Sequence, residues 1–484
     1  MDRSAQKWPE KVFLVDGEKR INFSDFRSDV CRWVSYLKSK NVGKSDIVAA
    51  FSKNNVEMLY LWMALNRLGA VFSPHNFNLK QAELDVLLKD SKPKLLFTDS
   101  DTLSDCADTS ELEVINFKNV NLDGSFEDVI ATAPDDVSTL LYTSGTEDVP
   151  KGVMNTHLNW FSTLMSGIAD LDMKHEDVFL LSIPIYHVAG LYTFLSFLNV
   201  GATIILERIP NPAEIGSLIR RHNVDYLIFP PTLFIALSQL FNEPFHSVKK
   251  CISFGSFISA DQFESITKIF PAVQWRNYYG LTECTPLGTT LQPEDFEKRK
   301  EAIGKPHMNV LLKLVRDDGS LASTNEVGEI LLKSPSVAKG YYNNPAKTKE
   351  TFVDGWLHTR DLARMDEEGF LYFVDRKKDI VRTGGENVSS VEVEREILRD
   401  SRVAEAAVVG IPHPYWGEAV TAFIALKKGK VASESEIIET VANRIAGYKV
   451  PKKVIIVESL PHNASGKILK KELKQAHSQL YAAS

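Results

Sequence analysis

IVAAFSKNNVEMLYLWMALNRLGAVFSP, residues 47 to 74, decides the fold. IVAAF is an unbroken apolar run of strand length, Val56 to Leu68 reads as a helix, and AVFSP closes the unit as a second strand. Just upstream, Phe26, Val30, Trp33, Val34 and Leu37 recur at helical spacing. The alternation returns in ATIIL (202–206), VDYLIFP (224–230), VKKCISFG (248–255) and VQWRNYYG (273–280), with helices between them. Strand and helix in turn predict an α/β fold of doubly wound sheets. Sites in such sheets gather at the loops beyond the strand ends.

From about Asn309 the pattern changes. Short strands such as VLLKLV and EILLK alternate with Gly and Asp turns, which predicts a small β-barrel or distorted sheet and an end to the helices. The polar segment DRKKDIVRTGGEN (375–387) then leads into a helix opened by Ser389, with Glu392 three residues on as a capping box. SVEVEREIL, VAEAAVVG, AVTAFIAL and SESEIIETVANRI follow, the last with Ser433 and Glu436 as a second capping box. A chain of 484 residues exceeds what one ordinary core supports. The expected division is a large N-terminal domain over 1–377 and a smaller α+β domain over 378–484.

Composition narrows the function. The chain is 44% hydrophobic and 25% charged, in the globular range, and its formal net charge of −7 argues against a nucleic-acid footprint. The one basic concentration, Lys449, Lys452, Lys453, Lys467, Lys470, Lys471 and Lys474, reads mostly as a solvated helix face. Cys31, Cys106, Cys251 and Cys284 lie far apart, so neither a zinc site nor a disulfide framework is indicated, and a reducing, cytoplasmic setting fits. The first residues lack the apolar core of a signal peptide. The apolar run from Val178 to Leu206 is broken by Pro184, His187, Gly190 and Asn199, which predicts a buried strand, loop, helix and strand instead of a membrane span.

Five segments hold the residue types that chemistry needs. YTSGTEDVPKG (142–152) packs hydroxyls, glycine and lysine into a loop after the strand STLLY, which suits either a polyphosphate cradle or an ordinary hydrophilic turn; the P-loop spacing is absent. YYGLTE (278–283) offers a ring to stack a purine, a glycine for close backbone approach, a hydroxyl and a carboxylate able to hold Mg²⁺, or else a plain strand-end turn. His187 in IPIYHVAGL is either a hydrogen-bonded core residue or a functional one. Asp361 and Arg376 could accept from and donate to a ribose, or form a turn salt bridge. Lys467 in HNASGKILKKEL reads on composition alone as solvated surface.

In this order the segments resemble those of the adenylate-forming superfamily of acyl-CoA synthetases, luciferases and adenylation domains, whose phosphate loop is close to Y-T-S-G-T-T-G-x-P-K-G. The chain departs from the family at Glu147 and Asp148, where Thr and Gly are usual, and at Arg360, where Gly is usual. The two acids put negative charge where phosphates approach. The resemblance implies that Thr143, Ser144, Gly145, Thr146 and Lys151 cradle the phosphates of ATP. It assigns Tyr279 to the adenine, Thr282 to the phosphates and Glu283 to Mg²⁺, with Gly280 also in the nucleotide site. His187 would line the carboxylate end of the acyl pocket as a positioning residue, and Asp361 and Arg376 would hold the ribose. Lys378 matches the hinge about which the C-terminal domain rotates, Gly384 and Gly385 border the pantetheine tunnel, and Lys467 is the adenylation lysine.

The implied reaction joins a carboxylic acid to ATP as acyl-AMP with release of pyrophosphate, then passes the acyl group to CoA. Tyr186, His187, Phe229, Phe254 to Phe257 and Leu287 are the pocket walls by family position, and their apolar, aromatic character suits a fatty or aryl acid. A carrier protein in trans as acceptor, a nucleotide- or acyl-binding homologue with weakened catalysis, and a homodimer are all compatible with the same residues.

Overall fold

The computed structural model describes residues 1–99, 112–122, 124–143, 150–255, 258, 260–462 and 468–481. Two large sheets carry the helix–strand alternation. The first runs in the order Lys305–Pro306, Leu287–Leu291, Gln274–Gly280, Lys250–Phe254, Tyr226–Phe229, Val178–Leu181, Thr203–Leu206, Val12–Asp16 and Lys19–Asn22. Its middle strands are parallel, and antiparallel pairs close both edges. The second runs Gly340–Tyr341, Lys151–Thr156, Val137–Thr143, Val71–His75, Ile47–Phe51, Leu95–Thr98 and Glu113–Asn116, again with a parallel centre.

The opening stretch folds as read. Its helix is Val56–Leu68, opened by the Asn55 side chain accepting from Met58 N and closed by Gly69 at φ 69°, a left-handed turn that suits glycine. Trp33, Trp62, Phe72, Phe97 and Phe194 meet in one buried cluster, each ring contributing roughly 1.5–3 kcal/mol relative to exposure. The apolar run from Val178 becomes a strand, a loop, the helix Val188–Val200 and the strand Thr203–Leu206. Ten of the helix's thirteen residues are buried, which explains its lack of an amphipathic stripe. Among the described residues no helix is long and apolar enough to cross a membrane.

The short strands after Asn309 form a third, antiparallel sheet from Leu311–Val315, Val327–Lys333, Phe352–Val353, Trp356–Met365 and Leu371–Arg376. Helices do not stop there, however. Pro345–Thr351 is a helix, capped by the Asn344 side chain accepting from Lys347 N, with Pro345 at its first turn.

A fourth sheet joins Val381–Thr383, Glu386–Val388, Val403–His413, Gly417–Leu426 and Lys453–Val457, and its core of Val381, Val393, Ile397, Val408, Val420 and Ile424 draws on this region alone. The Ser433–Glu436 capping box is complete. The Ser389 box is half made: Ser389 Oγ accepts from Glu392 N at 3.1 Å, while the Glu392 carboxylate turns to Lys449 Nζ at 2.7 Å.

Candidate active site

The strand Gln274–Gly280 delivers the central residues. Tyr279 Oη donates to Asp361 Oδ2 at 2.6 Å. Asp361 lies on Trp356–Met365 directly across from Arg376 on Leu371–Arg376, and Arg376 Nε stands 3.5 Å from Asp361 Oδ1. Opposite charges at facing positions of an antiparallel pair attract. Burial and the neighbouring Asp361 carboxylate push the Tyr279 phenol well above its ordinary range, so it stays a donor. Gly280 is required sterically, since a Cβ there would stand 1.5 Å from Pro286 O.

The chain then makes the single turn Thr282–Cys284. Thr282 O accepts from Asn155 Nδ2 at 3.2 Å, and Glu283 Oε1 accepts from Tyr341 Oη at 2.9 Å. Burial raises the Glu283 carboxyl above its ordinary value; Tyr341 and Arg376 pull it down, and Asp361 pushes it up. Its raised proton affinity is that of a carboxylate taken out of water. Among the described residues no group of three or more His, Cys, Asp or Glu could hold a metal by itself. A lone carboxylate sharing Mg²⁺ with phosphate oxygens needs no such group, so Glu283 fits the ion.

Lys151–Thr156 returns antiparallel to Val137–Thr143, with Thr143 opposite Lys151, so both ends of the phosphate-loop motif are pinned in one hairpin. Lys151 Nζ stands 5.8 Å from the centre of the Tyr341 ring. Ser144, Gly145, Thr146, Glu147 and Asp148 lie outside the described residues. Arg360 adopts φ 61°, where glycine is at ease and arginine is strained, which accounts for the family's usual residue. Its guanidinium pairs with Glu350 at the surface, and Arg360 N donates to Glu329 Oε1 at 3.1 Å.

His187 caps the helix Val188–Val200, its Nδ1 accepting from Ala189 N at 3.2 Å. The neutral ring therefore carries its proton on Nε2. Sequence reasoning missed the residue that sets this loop: the buried Asn54 accepts from Ile185 N at 2.8 Å and donates to Ile183 O and Glu207 O, each at 3.1 Å. Burial pushes the neighbouring Glu207 carboxyl up to about 7.

Of the pocket walls, Tyr186 meets Phe77 edge-on at 5.8 Å, Phe254 stacks on Tyr278 at 5.2 Å, and Leu287 is buried in the same core as Tyr278. Phe229 is a correction. It packs with Phe234 and Trp275 in a second core, while Ile228 beside it faces the first, because successive strand residues point to opposite faces. Ser256 and Phe257 lie outside the described residues.

Gly384 and Gly385 form the two-residue turn between Val381–Thr383 and Glu386–Val388, with φ 58° and 86°, so a tight hairpin requires them. Burial lowers Lys378, and Asp379 beside it raises it. Lys467 lies outside the described residues. The solvated reading of the terminal lysines fails at Lys449 and Lys470, whose ammonium groups each stand 2.7 Å from a carboxylate, of Glu392 and Glu394 respectively, while Lys474 pairs with Glu418 at the surface. The structure thus joins Tyr279, Glu283, Asp361 and Arg376 in one charged cluster with Tyr341, while His187 and the glycine pair are fixed by their own frameworks. Tyr341 carried no signal of its own in GYYNNP; only the fold brings it to Glu283.

The family model for AMP-binding enzyme matches residues 1–342, and that for the AMP-binding enzyme C-terminal domain matches 392–467. A 2-succinylbenzoate–CoA ligase of Bacillus subtilis is 32% identical over 481 residues, covering 98% of this chain and 96% of its own. A 4-coumarate–CoA ligase-like protein of Oryza sativa is also 32% identical, covering 97% and 91%. Among solved structures, the o-succinylbenzoate CoA synthetase of Bacillus subtilis in complex with its acyl-adenylate intermediate superposes with a TM-score of 0.89 at 30% identity, covering 98% and 97%. ATP-bound MatB of Rhodopseudomonas palustris gives 0.90 at 29% identity, covering 99% and 98%.

Proposed function

The chain belongs to the AMP-binding enzymes, and on that premise we propose that it is an ATP-dependent acid–CoA ligase acting on an aryl or other apolar carboxylic acid. The observation that carries the reading is the cluster of Tyr279, Asp361 and Arg376 beside Glu283, in a chain that aligns along nearly its whole length with CoA ligases. Asp361 accepts the ribose hydroxyls, Arg376 donates to the same sugar, and Tyr279 offers its face to the adenine. Thr282, Lys151 and the loop from Thr143 to Thr146 hold the phosphates. Mg²⁺ on Glu283, when bound, supplies positive charge against the phosphate oxygens.

In the first half-reaction the carboxylate oxygen attacks the α-phosphorus, the bond to the β-phosphate oxygen breaks, and pyrophosphate leaves. Two anions must meet, so fixed cations and N–H donors at the developing charge supply most of the acceleration. Lys467 serves here, while the Nε2–H of His187 orients the acid. In the second half-reaction a thiolate attacks the acyl carbon and AMP departs, which needs Lys467 withdrawn and the Gly384–Gly385 hairpin presented. Rotation of residues 378–484 about Lys378 achieves both.

Tyr186, Phe77 and Phe254 support an apolar or aromatic acid, as do the acids named for the relatives. A cytoplasmic setting supplies ATP and CoA and suits the buried free thiols of Cys31, Cys251 and Cys284. The test is pyrophosphate release with ATP and Mg²⁺ against benzoic, cinnamic and succinylbenzoic acids and short to long fatty acids, with and without CoA. Acid-dependent release that yields a CoA thioester is the expected result; release with thioester formed only on an added phosphopantetheinyl carrier protein would replace CoA as acceptor, and no release with any acid would sink the ligase reading.

A further inference from the structure

Lys470 is not used by the reaction above, yet it is among the most firmly held cations of the C-terminal region. Its ammonium donates to Ser390 Oγ at 2.7 Å and stands 2.7 Å from Glu394 Oε1, with a fifth of the side chain exposed. Ser390 Oγ donates in turn to Asp375 Oδ2 at 2.8 Å, and Ser390 N donates to the same oxygen at 2.5 Å. Asp375 Oδ1 accepts from Arg376 N at 2.7 Å. Glu394 is fixed in turn by Val408 N at 2.7 Å. The chain of bonds therefore runs from Lys470 through Ser390 and Asp375 to Arg376, which faces Asp361. On the other side, His462 and Ile468 pair as an isolated bridge, and Leu469 N donates to Pro461 O at 2.8 Å, so the two residues directly before Lys470 are fixed.

A surface lysine at this place would need none of this. A cation held by one carboxylate and by a hydroxyl that is itself bonded to a second carboxylate specifies orientation, because each partner has one geometry that satisfies it. Lys467 stands three residues upstream.

We infer that Lys470 is a positioning residue for adenylation, which through Ser390 and Asp375 sets the lysine-bearing segment in register with the ribose-binding strand Leu371–Arg376. The inference rests on the proposed role of Lys467. It assigns no contact between Lys470 and substrate. If the register is lost, the attacking carboxylate and the α-phosphate meet a displaced cation, and misplacement on the scale of an ångström costs up to about a hundredfold in rate. Transfer from a preformed acyl-adenylate does not use Lys467, so it is spared.

Ser390→Ala cuts the link while leaving Lys470 paired with Glu394 and the helix N–H on Asp375, so it avoids stranding a buried charge. Lys470→Met removes the cation, and Lys470→Arg restores it. Acyl-adenylate formation, followed as pyrophosphate release in a single turnover, should fall about tenfold in Ser390→Ala and about a hundredfold in Lys470→Met, and recover in Lys470→Arg. Conversion of supplied acyl-adenylate and CoA to thioester should stay within about twofold of wild type throughout. Equal loss of both half-reactions, or adenylation unchanged in both Ser390→Ala and Lys470→Met, overturns the inference. Lys467→Ala run alongside separates the failures: if it too loses both halves equally, the role of Lys467 falls and this inference with it, whereas if it splits them and the other two variants do not, the inference alone falls.

Discussion

Replacing Asp361 by Asn isolates the proposed ribose contact. In the structure one carboxylate oxygen takes the Tyr279 hydroxyl at 2.6 Å and the other faces Arg376 at 3.5 Å. Each oxygen keeps a further lone pair, so two ribose hydroxyls can be accepted without evicting either resident partner. Asn keeps one acceptor oxygen and turns the other into a donor, so one charge-assisted hydrogen bond to the sugar is lost, worth about 1.5–3 kcal/mol. At 1.4 kcal/mol per decade the affinity for Mg-ATP falls about 10- to 150-fold. The weakened pairing with Arg376 adds little, because 39% of that side chain is exposed and the ion pair is screened.

Calorimetric titration of wild type and variant with ATP and with 3′-deoxy-ATP closes a cycle that isolates the contact. Wild type should lose affinity for the deoxy analogue, and the variant should discriminate between the two nucleotides less. An affinity for ATP within twofold of wild type, or undiminished discrimination in the variant, would refute the ribose assignment.

Three further outcomes are expected. Glu207→Gln tests a buried acid: below about 4.5 both folded and unfolded forms are protonated, and as pH rises toward 7 only the unfolded chain ionises, so wild type loses about 3 kcal/mol that the amide does not; thermal unfolding should match at pH 4 and favour the variant at pH 8, and a pH-independent difference would contradict the burial argument. Arg360→Gly relieves a left-handed residue at the cost of an exposed ion pair, and should raise the urea midpoint by the equivalent of roughly 1 kcal/mol; a lower midpoint would show that Arg360 is not strained. His187→Asn keeps a helix-capping acceptor and removes Nε2, so melting should hold while KM for the acid rises about tenfold or more and KM for ATP does not; a parallel rise in both would remove His187 from the acid's side of the site.

The sequence made the sheets legible because period and length are local. Val56–Leu68 has the bounds the apolar pattern gave it, since Asn55 and Gly69 are readable caps. The face of a single buried residue was not legible: YLIFP has no charged residue, so nothing in it says that Phe229 turns from Ile228 to a different core. Pro345–Thr351 was overlooked although its N-P opening is an initiation signal, because the surrounding strands dominated the window. The paired lysines failed for a deeper reason. Whether Lys470 is solvated depends on Glu394 and Ser390, some eighty residues away, and composition carries no information on such partners.

The pairing pattern also explains why this chemistry needs two parts. A protein of net charge −7 must bring a carboxylate to a triphosphate, and the site's own charges largely cancel: Arg376 is matched by Asp361, and burial raises the Glu283 carboxyl above its usual range. In the reaction proposed above, the positive charge for the first attack is added by Mg²⁺ and by Lys467. A permanently seated lysine would go on stabilising the mixed anhydride's phosphate oxygens after pyrophosphate leaves and would occupy the approach that the thiol requires. On the proposed role of Lys467, a lysine carried by the C-terminal region meets both demands, since it can act in the first step and be withdrawn before the second.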